Sequence, residues 1–405
     1  MKGKIALSLL VLILCLSFLP VACGDEEEPT GEPPESITLW TLADMSGPYA
    51  TVMAPMVPAL ADVDEYVNTV LGGINGVPIE SKVKDFGGDI AIGLSAYEEL
   101  RAMSPKPLTF FGWVTDLNEV LKERVAEDEI PYICTASDLA LYPPAYSFGF
   151  HATYIDTFGA FLDWLVENWT EDRPPKVAIL TWDTAYGRAV IRDEGEAYAQ
   201  ELGVEIVATE LFGIQELECT TQLTRIRAEE PDWIYTNTLV TGPVTILKSA
   251  QDLGYDINLA GGYGIGWMDM GIGGADLFEG VVVIKDTVSW DDVSNPIVQE
   301  LRGIVEENER DPSVMDNVYA SAFAYTLMAV EAIQAAVDEV GWDGLDGEAV
   351  HDQLIKGEYT PMGGIIQANY TEDIRSLTKV SVCQIQDGKI MPITPFRQAP
   401  DLKEK

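Results

Sequence analysis

The sequence predicts an α/β protein made of two domains, each with a parallel sheet covered by helices on both faces. Strand-like runs alternate with helix-like segments along the chain. Residues 177–181 show the pattern: five apolar or β-branched residues lead into a polar turn and then a helix-like segment. Continuous apolar strands of this kind are typical of parallel sheets buried on both faces. The length of 405 residues exceeds the usual size of one hydrophobic core and favours two domains.

The first half of the chain repeats strand and helix from residue 37. Its first helix is predicted to end at residues 72–76, because Gly and Asn tolerate left-handed backbone. Asp116 is predicted to cap a later helix, since a carboxylate can accept hydrogen bonds from exposed backbone N–H groups. The other elements predicted in this half are strand 79–85, helix 90–103, strand 108–112, a helix to 127 and strand 130–135.

The second half continues the alternation beyond residue 147. The predicted elements are helix 158–168, strand 177–182, helix 188–202, strand 204–211, helix 220–230, strand 233–236, helix 244–253, a Gly-rich turn at 261–266, helices 296–310 and 314–340, and strand 380–385. The helix at 314–340 is long and rich in Ala, with apolar residues at helical spacing.

The charge of the chain is strongly negative. A total of 66 acidic residues against 25 basic ones gives a formal charge of −41. Such a surface repels a phosphate backbone and an anionic membrane surface. The composition therefore argues against nucleic-acid binding and favours a solvated acidic exterior.

Residues 1–22 have the pattern of a signal peptide: Lys2 and Lys4 precede an apolar run that ends in small residues before Cys23. The segment resembles a bacterial lipoprotein signal, which implies lipidation of Cys23. A plain secreted protein cut near Ala22 is the alternative. Residues 23–36 are acidic and rich in Pro, and are predicted to form an extended tether. A lipid at Cys23 would hold the protein at the outer face of a membrane.

The sequence contains few candidates for catalysis. It has no phosphate-binding loop, no nucleophile elbow and no Cys-x-x-Cys pair. His151 and His351 lie 200 positions apart without spaced partners, which favours structural or surface roles. Cys134 and Cys383 fall in apolar strand-like runs and are predicted to be buried thiols. We therefore expect a protein that is not an enzyme and that needs no metal or cofactor.

Aromatic residues cluster at the predicted strand ends and adjoining turns. They are Trp40, Trp113, Trp182, Trp267, Trp290, Tyr49, Tyr186 and Tyr263. Ligands of open α/β sheets bind at the carboxyl ends of the strands. The cluster therefore favours a pocket with aromatic walls, suited to an apolar or flat ligand or to a cation. Packing under loops or between domains is the alternative.

Six stretches carry a resemblance to one family: SGPYA, GGINGVPIE, FFG before Trp113, IPYICTAS, LTWDTAYG and TTQLTRIRAEEPDWIY. In this order they resemble the solute-binding proteins of branched-chain amino-acid ABC transporters, over residues 37–397. The resemblance implies two doubly wound parallel-sheet lobes joined by three crossover segments, with a ligand cleft between them. It assigns residues 37–153 and 287–372 to the N-terminal lobe and residues 154–286 and 373–398 to the C-terminal lobe. Residues 281–286 are expected to cross back to the first lobe.

The resemblance also implies a set of ligand contacts. Loops 113–117 and 135–138 of the first lobe would hold a ligand carboxylate through hydroxyl and backbone N–H groups. The second lobe would contribute a Tyr that follows a strand and a loop at 238–240. The predicted ligand-binding residues are Tyr49, Trp113, Thr115, Asp116, Ala136, Ser137, Tyr186, Leu239 and Tyr263.

One departure from the family pattern concerns the ligand. Tyr263 occupies the place where the family commonly has an acid that pairs with the ligand ammonium. A buried ammonium would then need Asp183, Asp269 or aromatic faces as its partner. An amino acid, an amide, a urea-like compound and an aromatic compound all remain open.

The function that the resemblance implies is capture of a small organic molecule by hinge closure and its delivery to an ABC transporter permease by a monomeric protein. A ligand-sensing module for a receptor or signalling partner is the alternative. An enzyme of doubly wound type is a second alternative, for which the sequence shows no clustered acid, base or cofactor loop.

Overall fold

The computed structural model describes residues 29–402, without the side chains of Trp267 and Met268. The predicted signal peptide, Cys23 and the first part of the tether lie outside these residues. Within the described range the chain forms two lobes, each built on a largely parallel sheet with helices on both faces. The predicted α/β class with two parallel-sheet lobes is confirmed.

The first lobe contains a five-stranded parallel sheet within the described residues, with strand order β2-β1-β3-β4-β5. Its strands are Ile37–Ala43 (β1), Ile79–Asp85 (β2), Phe110–Gly112 (β3), Tyr132–Cys134 (β4) and Ser147–Gly149 (β5). The helices between them are Ala50–Met53 (α1), Met56–Glu65 (α2), Ile90–Arg101 (α3), Thr115–Asp128 (α4) and Asp138–Leu141 (α5).

The second lobe begins with a helix, and strands and helices then alternate except after β6, where two helices follow one another. Its helices are Tyr154–Asn168 (α6), Ala185–Arg188 (α7), Asp193–Leu202 (α8), Thr220–Ala228 (α9), Thr241–Asp252 (α10) and Trp267–Gly273 (α11). Its parallel strands are Lys176–Trp182 (β6), Glu205–Phe212 (β7), Trp233–Thr236 (β8), Leu259–Gly261 (β9) and Val282–Lys285 (β10). They are ordered β10-β9-β8-β6-β7 across the sheet.

The chain then returns to pack on the first lobe before it completes the second sheet. The returning segment has helices Pro296–Glu307 (α12), Asn317–Val340 (α13) and Gly347–Leu354 (α14), and the short strands Glu358–Tyr359 (β11) and Ala368–Asn369 (β12). The last strands are Lys379–Gln386 (β13), Lys389–Pro392 (β14) and Arg397–Gln398 (β15). Strand β13 pairs antiparallel with β10, β14 and β15.

Helix α13 is the central helix of the first lobe and packs against α2. In the part of the chain that the structure describes, it is the one helix long and apolar enough to cross a membrane, but 83% of its most apolar window is buried inside the protein. Its apolar character is therefore explained by its place in the core.

The crossings between the lobes lie side by side and are joined by hydrogen bonds. Asp286, directly after β10, accepts hydrogen bonds from the backbone N–H of Ala152 at 2.8 Å and from Nδ1 of His151 at 3.0 Å. The backbone N–H of Leu377 donates to the carbonyl of His151. These bonds tie together three segments that are far apart in sequence.

Two details differ from the sequence-based expectation. Residues 282–285 form strand β10 of the second sheet, so the crossing follows this strand. The N-cap of α4 is Val114 rather than Asp116, which lies in the first turn of the helix. The predicted burial of the Cys134 and Cys383 thiols is confirmed. The exact lobe boundaries stay a prediction.

A buried acidic residue attaches the segment between α12 and α13 to the first lobe. Asp62 on α2 is 1% exposed. Its carboxylate accepts hydrogen bonds from the guanidinium of Arg310, the amide of Asn308 and the hydroxyl of Tyr319. The carboxylate is therefore fully satisfied, and it fixes the start of α13 against α2.

We expect Arg310→Ala to lower the free energy of unfolding by about 2–3 kcal/mol, because it leaves a buried carboxylate without its cation. Arg124→Ala is the matched control, since Arg124 pairs with Glu98 at a site where both side chains are more than 40% exposed. That change should cost less than about 1 kcal/mol. Urea denaturation measures both, and equal losses would contradict the role assigned to Asp62.

Candidate functional site

A cavity lies between the lobes at the carboxyl ends of the central strands of both sheets. Strands β3 and β4 of the first lobe and β6, β8 and β9 of the second lead into it. The residues that line it are Tyr49, Val52, Met53, Trp113, Val114, Thr115, Thr135, His151, Tyr154, Tyr186, Leu239, Val240, Tyr263, Gly264, Asp269, Asp316, Asn317 and Val318. Both lobes and the crossing segment at His151 therefore contribute to its wall.

The space between these residues is small. The volume open to the centres of water-sized spheres is about 50 Å³. A single water needs about 10–15 Å³ on this measure, so the cavity has room for a few waters or a few heavy atoms of a ligand. The lobes are thus closed around a site of amino-acid size or smaller.

Aromatic rings make up much of the wall. Tyr154 and Tyr186 meet edge to face, with ring centroids 4.9 Å apart and an angle of 89° between the rings. The ring centroids of Tyr263 and Tyr154 are 6.1 Å apart, and those of Trp113 and Phe150 are 5.0 Å apart.

Hydroxyl groups of both lobes already make hydrogen bonds in the cavity wall. Thr115, the first residue of α4, has its Oγ1 3.1 Å from the hydroxyl of Tyr154. Thr135 accepts a hydrogen bond from the Asn118 amide and donates to the carbonyl of Trp113. A ligand that binds to Thr115 must therefore share or replace the contact with Tyr154.

His151 forms part of the cavity wall, which the sequence did not predict. Its ring stacks on Tyr263 with centroids 3.8 Å apart, and its Nδ1 faces Asp286. Its Nε2 lies 3.4 Å from the hydroxyl of Ser321 on α13. The side chain thus connects the crossing segments to the ligand site.

Asp269 on α11 is the least satisfied polar group of the cavity. It is 1% exposed, its Oδ2 accepts a hydrogen bond from the backbone N–H of Gly266 at 2.8 Å, and its Oδ1 has no hydrogen-bond partner. Burial raises the pKa of this carboxyl well above its usual value, and the nearby Asp316 raises the pKa further while Lys285 opposes the shift. An unpaired carboxylate oxygen in a buried cavity is a ready partner for a ligand donor or cation.

Among the residues that the structure describes, no Lys or Arg side chain lines the wall. Lys285 lies behind it, and its ammonium donates to Oδ1 of Asn317 at 3.1 Å. The acidic groups of the wall are Asp269 and Asp316. The charged groups that face the cavity therefore sum to a negative charge whenever Asp269 is ionised.

Two contacts join the lobes around the cavity mouth. Arg192, the N-cap residue of α8 in the second lobe, lies 3.1 Å from Oδ2 of Asp138 on α5 of the first lobe. Asp138 is only 4% exposed, so the pair is largely shielded from water. Tyr49 of the first lobe meets Trp182 of the second edge to face at 6.4 Å. These contacts exist only while the lobes are closed.

The structure brings together six of the predicted ligand-binding residues, and three lie elsewhere. Lining the cavity are Tyr49, Trp113, Thr115, Tyr186, Leu239 and Tyr263. Asp116, Ala136 and Ser137 are not part of its wall, and the Ser137 hydroxyl donates to the carboxylate of Glu119 at 2.5 Å. Direct ligand contact by any of the nine stays a prediction.

The other aromatic and acidic candidates have other surroundings. The ammonium groups of Lys82 and Lys84 lie over the ring of Trp40, and Trp290 packs on Tyr319. Asp183 pairs with Arg188 at the exposed end of β6. The side chain of Trp267 lies outside the described part of the structure. Of the acids named from the sequence, Asp269 is the one that lines the cavity.

A metal site is not visible in residues 29–402: no group of three or more His, Cys, Asp or Glu side chains is placed to hold an ion there.

Comparisons with known proteins identify the family and the fold of the chain. Residues 36–389 match the sequence model of a family described as periplasmic binding protein. A comparison with curated proteins found no match.

Solved structures of similar fold include three informative ones. A branched-chain amino acid ABC transporter protein from Thermus thermophilus with bound valine has a TM-score of 0.80 at 21% identity, covering 90% of this chain and 97% of that one. A fatty acid ABC transporter substrate-binding protein from Thermomonospora curvata has a TM-score of 0.78 at 17% identity, covering 93% of this chain and 96% of that one. A branched-chain amino acid transporter substrate-binding protein from Streptococcus pneumoniae in complex with isoleucine has a TM-score of 0.72 at 17% identity, covering 89% of this chain and 100% of that one. At such identities the likeness concerns the fold.

We expect Arg192→Ala to shift the ligand-free protein toward an open form, because it removes the charge partner of Asp138 across the cleft. Small-angle X-ray scattering should show a larger radius of gyration than for the unchanged protein. Arg188→Ala is the control, since Arg188 pairs with Asp183 within one lobe. A scattering curve that is unchanged by Arg192→Ala alone would contradict the role of this pair in closure.

The raised pKa of Asp269 predicts a pH dependence of stability in the absence of ligand. The folded protein retains a proton that the unfolded chain releases above pH about 4, so this group's contribution to stability is complete below that pH and is lost as pH rises through the folded pKa. Asp269→Asn removes this loss. The difference in unfolding free energy between variant and unchanged protein should therefore grow in favour of the variant from pH 4 toward pH 7, as measured by urea denaturation. A constant difference would contradict the shift.

Proposed function

We propose that this chain, which belongs to the periplasmic binding protein family, captures a small organic ligand outside the cytoplasm and delivers it to an ABC importer. The family consists of non-enzymatic solute-binding proteins, so the prediction that the chain is not an enzyme is confirmed. The proposal concerns the ligand, the partner and the anchoring of the protein.

The observation that carries the proposal is the closed cavity with walls from both lobes. A ligand that contacts both lobes stabilises the closed form over the open one, because the second set of contacts is lost on opening. The hydrogen-bonded crossings at His151, Asp286 and Leu377 supply a hinge for this motion. A permease that recognises the closed form would then receive loaded protein selectively.

The size of the cavity favours a ligand near the size of an amino acid. Proteins of similar fold are described with bound valine and with isoleucine, and one is described as a fatty acid transporter component. A long acyl chain does not fit the closed space of about 50 Å³ without wider opening. We therefore propose an amino acid or a related small amide, amine or aromatic compound.

The polar groups favour two ends for the ligand. Thr115 begins α4, where the positive end of the helix dipole and free backbone N–H groups attract negative or hydrogen-bond-accepting groups. Asp269 lies on the second lobe with one free oxygen, and it can replace the acid that Tyr263 displaces. The ligand would thus bridge the lobes.

The location and partners follow from the N-terminal segment and the family. We propose export by the signal-like residues 1–22, a lipid on Cys23 and an acidic connection from Cys23 to the first lobe. The end of this connection is held on the lobe, because the backbone N–H of Trp342 donates to the carbonyl of Thr30. The partner is an ABC transporter permease, and the protein acts as a monomer. Labelling with a radioactive fatty acid in a bacterial host tests the lipid, which Cys23→Ser should abolish.

A thermal-shift screen with amino acids, amides, ureas, polyamines and aromatic acids tests ligand capture. A true ligand at about a thousand times its Kd adds roughly 4 kcal/mol of stability and raises the Tm visibly. Tyr186→Ala should weaken binding of that ligand about 30-fold, because it removes a ring from the cavity wall. Calorimetric titration measures the affinity.

The control for this variant is Tyr198→Ala. Tyr198 lies in the same lobe, bonded to Asp163 and away from the cavity. The ligand-free Tm of both variants separates lost binding from lost stability. Unchanged affinity of the Tyr186 variant would place the site elsewhere.

A further inference from the structure

We propose that the cavity selects a small organic ammonium cation that carries no carboxylate, with its charge held by the free Oδ1 of Asp269 and by the surrounding aromatic rings. This inference rests on the proposed function, because it specifies the ligand of the same cavity. It separates this chain from relatives that are described with bound valine or isoleucine.

The charge balance of the cavity is the first argument. Asp269 and Asp316 flank Gly266: the backbone N–H of Gly266 donates to Asp269, and an added Cβ at Gly266 would lie 2.9 Å from Oδ2 of Asp316. Lys285 partly offsets these carboxylates from behind the wall, where it is bonded to Asn317. A cation entering the cavity would reduce the repulsion between the two acids, whereas a carboxylate would add to it.

Protein groups already engage both ring nitrogens of the histidine in the wall. Nδ1 of His151 faces the carboxylate of Asp286 at 3.0 Å, and its Nε2 lies 3.4 Å from the hydroxyl of Ser321. The ring nitrogens are therefore not offered to a ligand carboxylate.

The unsatisfied oxygen is the second argument. A buried carboxylate with a free oxygen costs stability unless a partner is supplied. Asp269 keeps its Oδ1 without a hydrogen-bond partner although it is 1% exposed and lines the cavity. A donor on a ligand that enters the cavity can therefore bond to this oxygen.

The aromatic walls are the third argument. Tyr154 and Tyr186 stand at 89° to one another, and Tyr49, Trp113 and Tyr263 also line the space. Ring faces attract organic cations, most strongly where water is excluded. Rings at right angles allow an alkylated ammonium to contact more than one face.

Ionisation of Asp269 gives this binding a proton signature. The groups that act on Asp269 are Asp316, Lys285 and the backbone N–H of Gly266, and the charge of Asp269 in turn contributes to the raised pKa of Tyr186, which burial dominates. Burial raises the pKa of Asp269, so part of the ligand-free protein carries a proton there. A bound cation favours the ionised form, and binding therefore releases a proton and tightens as pH rises.

Matched pairs of probes test the charge directly. The cations are choline and isopentylamine, and their uncharged counterparts of similar shape are 3,3-dimethylbutan-1-ol and 3-methylbutan-1-ol. Leucine adds a carboxylate to the isopentylamine skeleton. Calorimetric titration of the purified protein should show at least one cation binding about 30-fold or more tightly than its uncharged counterpart, and isopentylamine binding more tightly than leucine.

Variants of the same chemistry test the residue. Asp269→Asn keeps shape and should weaken binding of the cation about 100-fold, with little effect on the uncharged probe. Asp183→Asn makes the same change at an exposed site that is paired with Arg188, and should leave affinity unchanged. Titrations in phosphate and in HEPES buffer, which differ in ionisation enthalpy and supply no simple ammonium cation, should show proton release for the unchanged protein and none for Asp269→Asn.

The outcomes separate this inference from the proposed function. Tighter binding of leucine or an uncharged probe, or equal affinity of Asp269→Asn for the cation, would overturn the inference and leave solute capture standing. Failure of every compound in the wider screen to bind would overturn both. Cation binding that depends on Asp269 but does not lower the radius of gyration measured by small-angle X-ray scattering would support the ligand class and contradict capture by closure.

Discussion

The hydrogen-bonded crossing between the lobes is the constraint on which the rest of the molecule depends. Asp286 accepts hydrogen bonds from the backbone N–H of Ala152 and the ring of His151, and the carbonyl of His151 accepts one from the backbone N–H of Leu377. Because these bonds join the segments rather than the lobes' faces, they can persist while the lobes rotate about them. The same His151 ring stacks on Tyr263 in the cavity wall, so the hinge and the ligand site share a side chain.

The closed form is stabilised by few direct contacts, and this suits a binding protein. Arg192 and Asp138 pair across the mouth, and Tyr49 meets Trp182. A larger interface between the lobes would hold them shut without ligand and remove the difference in free energy that ligand binding must supply. A ligand in the cavity would then supply the rest of the free energy that favours the closed form over the open one.

Asp269 lowers the stability of the ligand-free fold, and in the proposed site a bound cation would restore it. An Asn or an apolar residue in the same place would avoid the cost of burying an unpaired carboxylate. The acidic exterior of the chain, with a formal charge of −41, acts in the same direction at longer range, because a negative field raises the local concentration of cations. The interior and exterior electrostatics thus favour the same sign of ligand charge.

The sequence by itself determined the fold class and named six residues that line the cavity, whose contact with a ligand stays a prediction. Strand patterns such as residues 177–182, followed by a polar turn, predict the parallel sheets, and Tyr186 is visible as a cavity residue because it follows its strand directly in the chain. His151 could not be found in this way, and the sequence names Asp269 only as one of two acidic candidates, beside Asp183. Their roles depend on Asp286, Asp316 and Lys285, which come from separate segments, so no local spacing records them. Only the tertiary structure decides which buried carboxylate is left without a partner, because satisfaction of a polar group is a property of all the atoms that surround it.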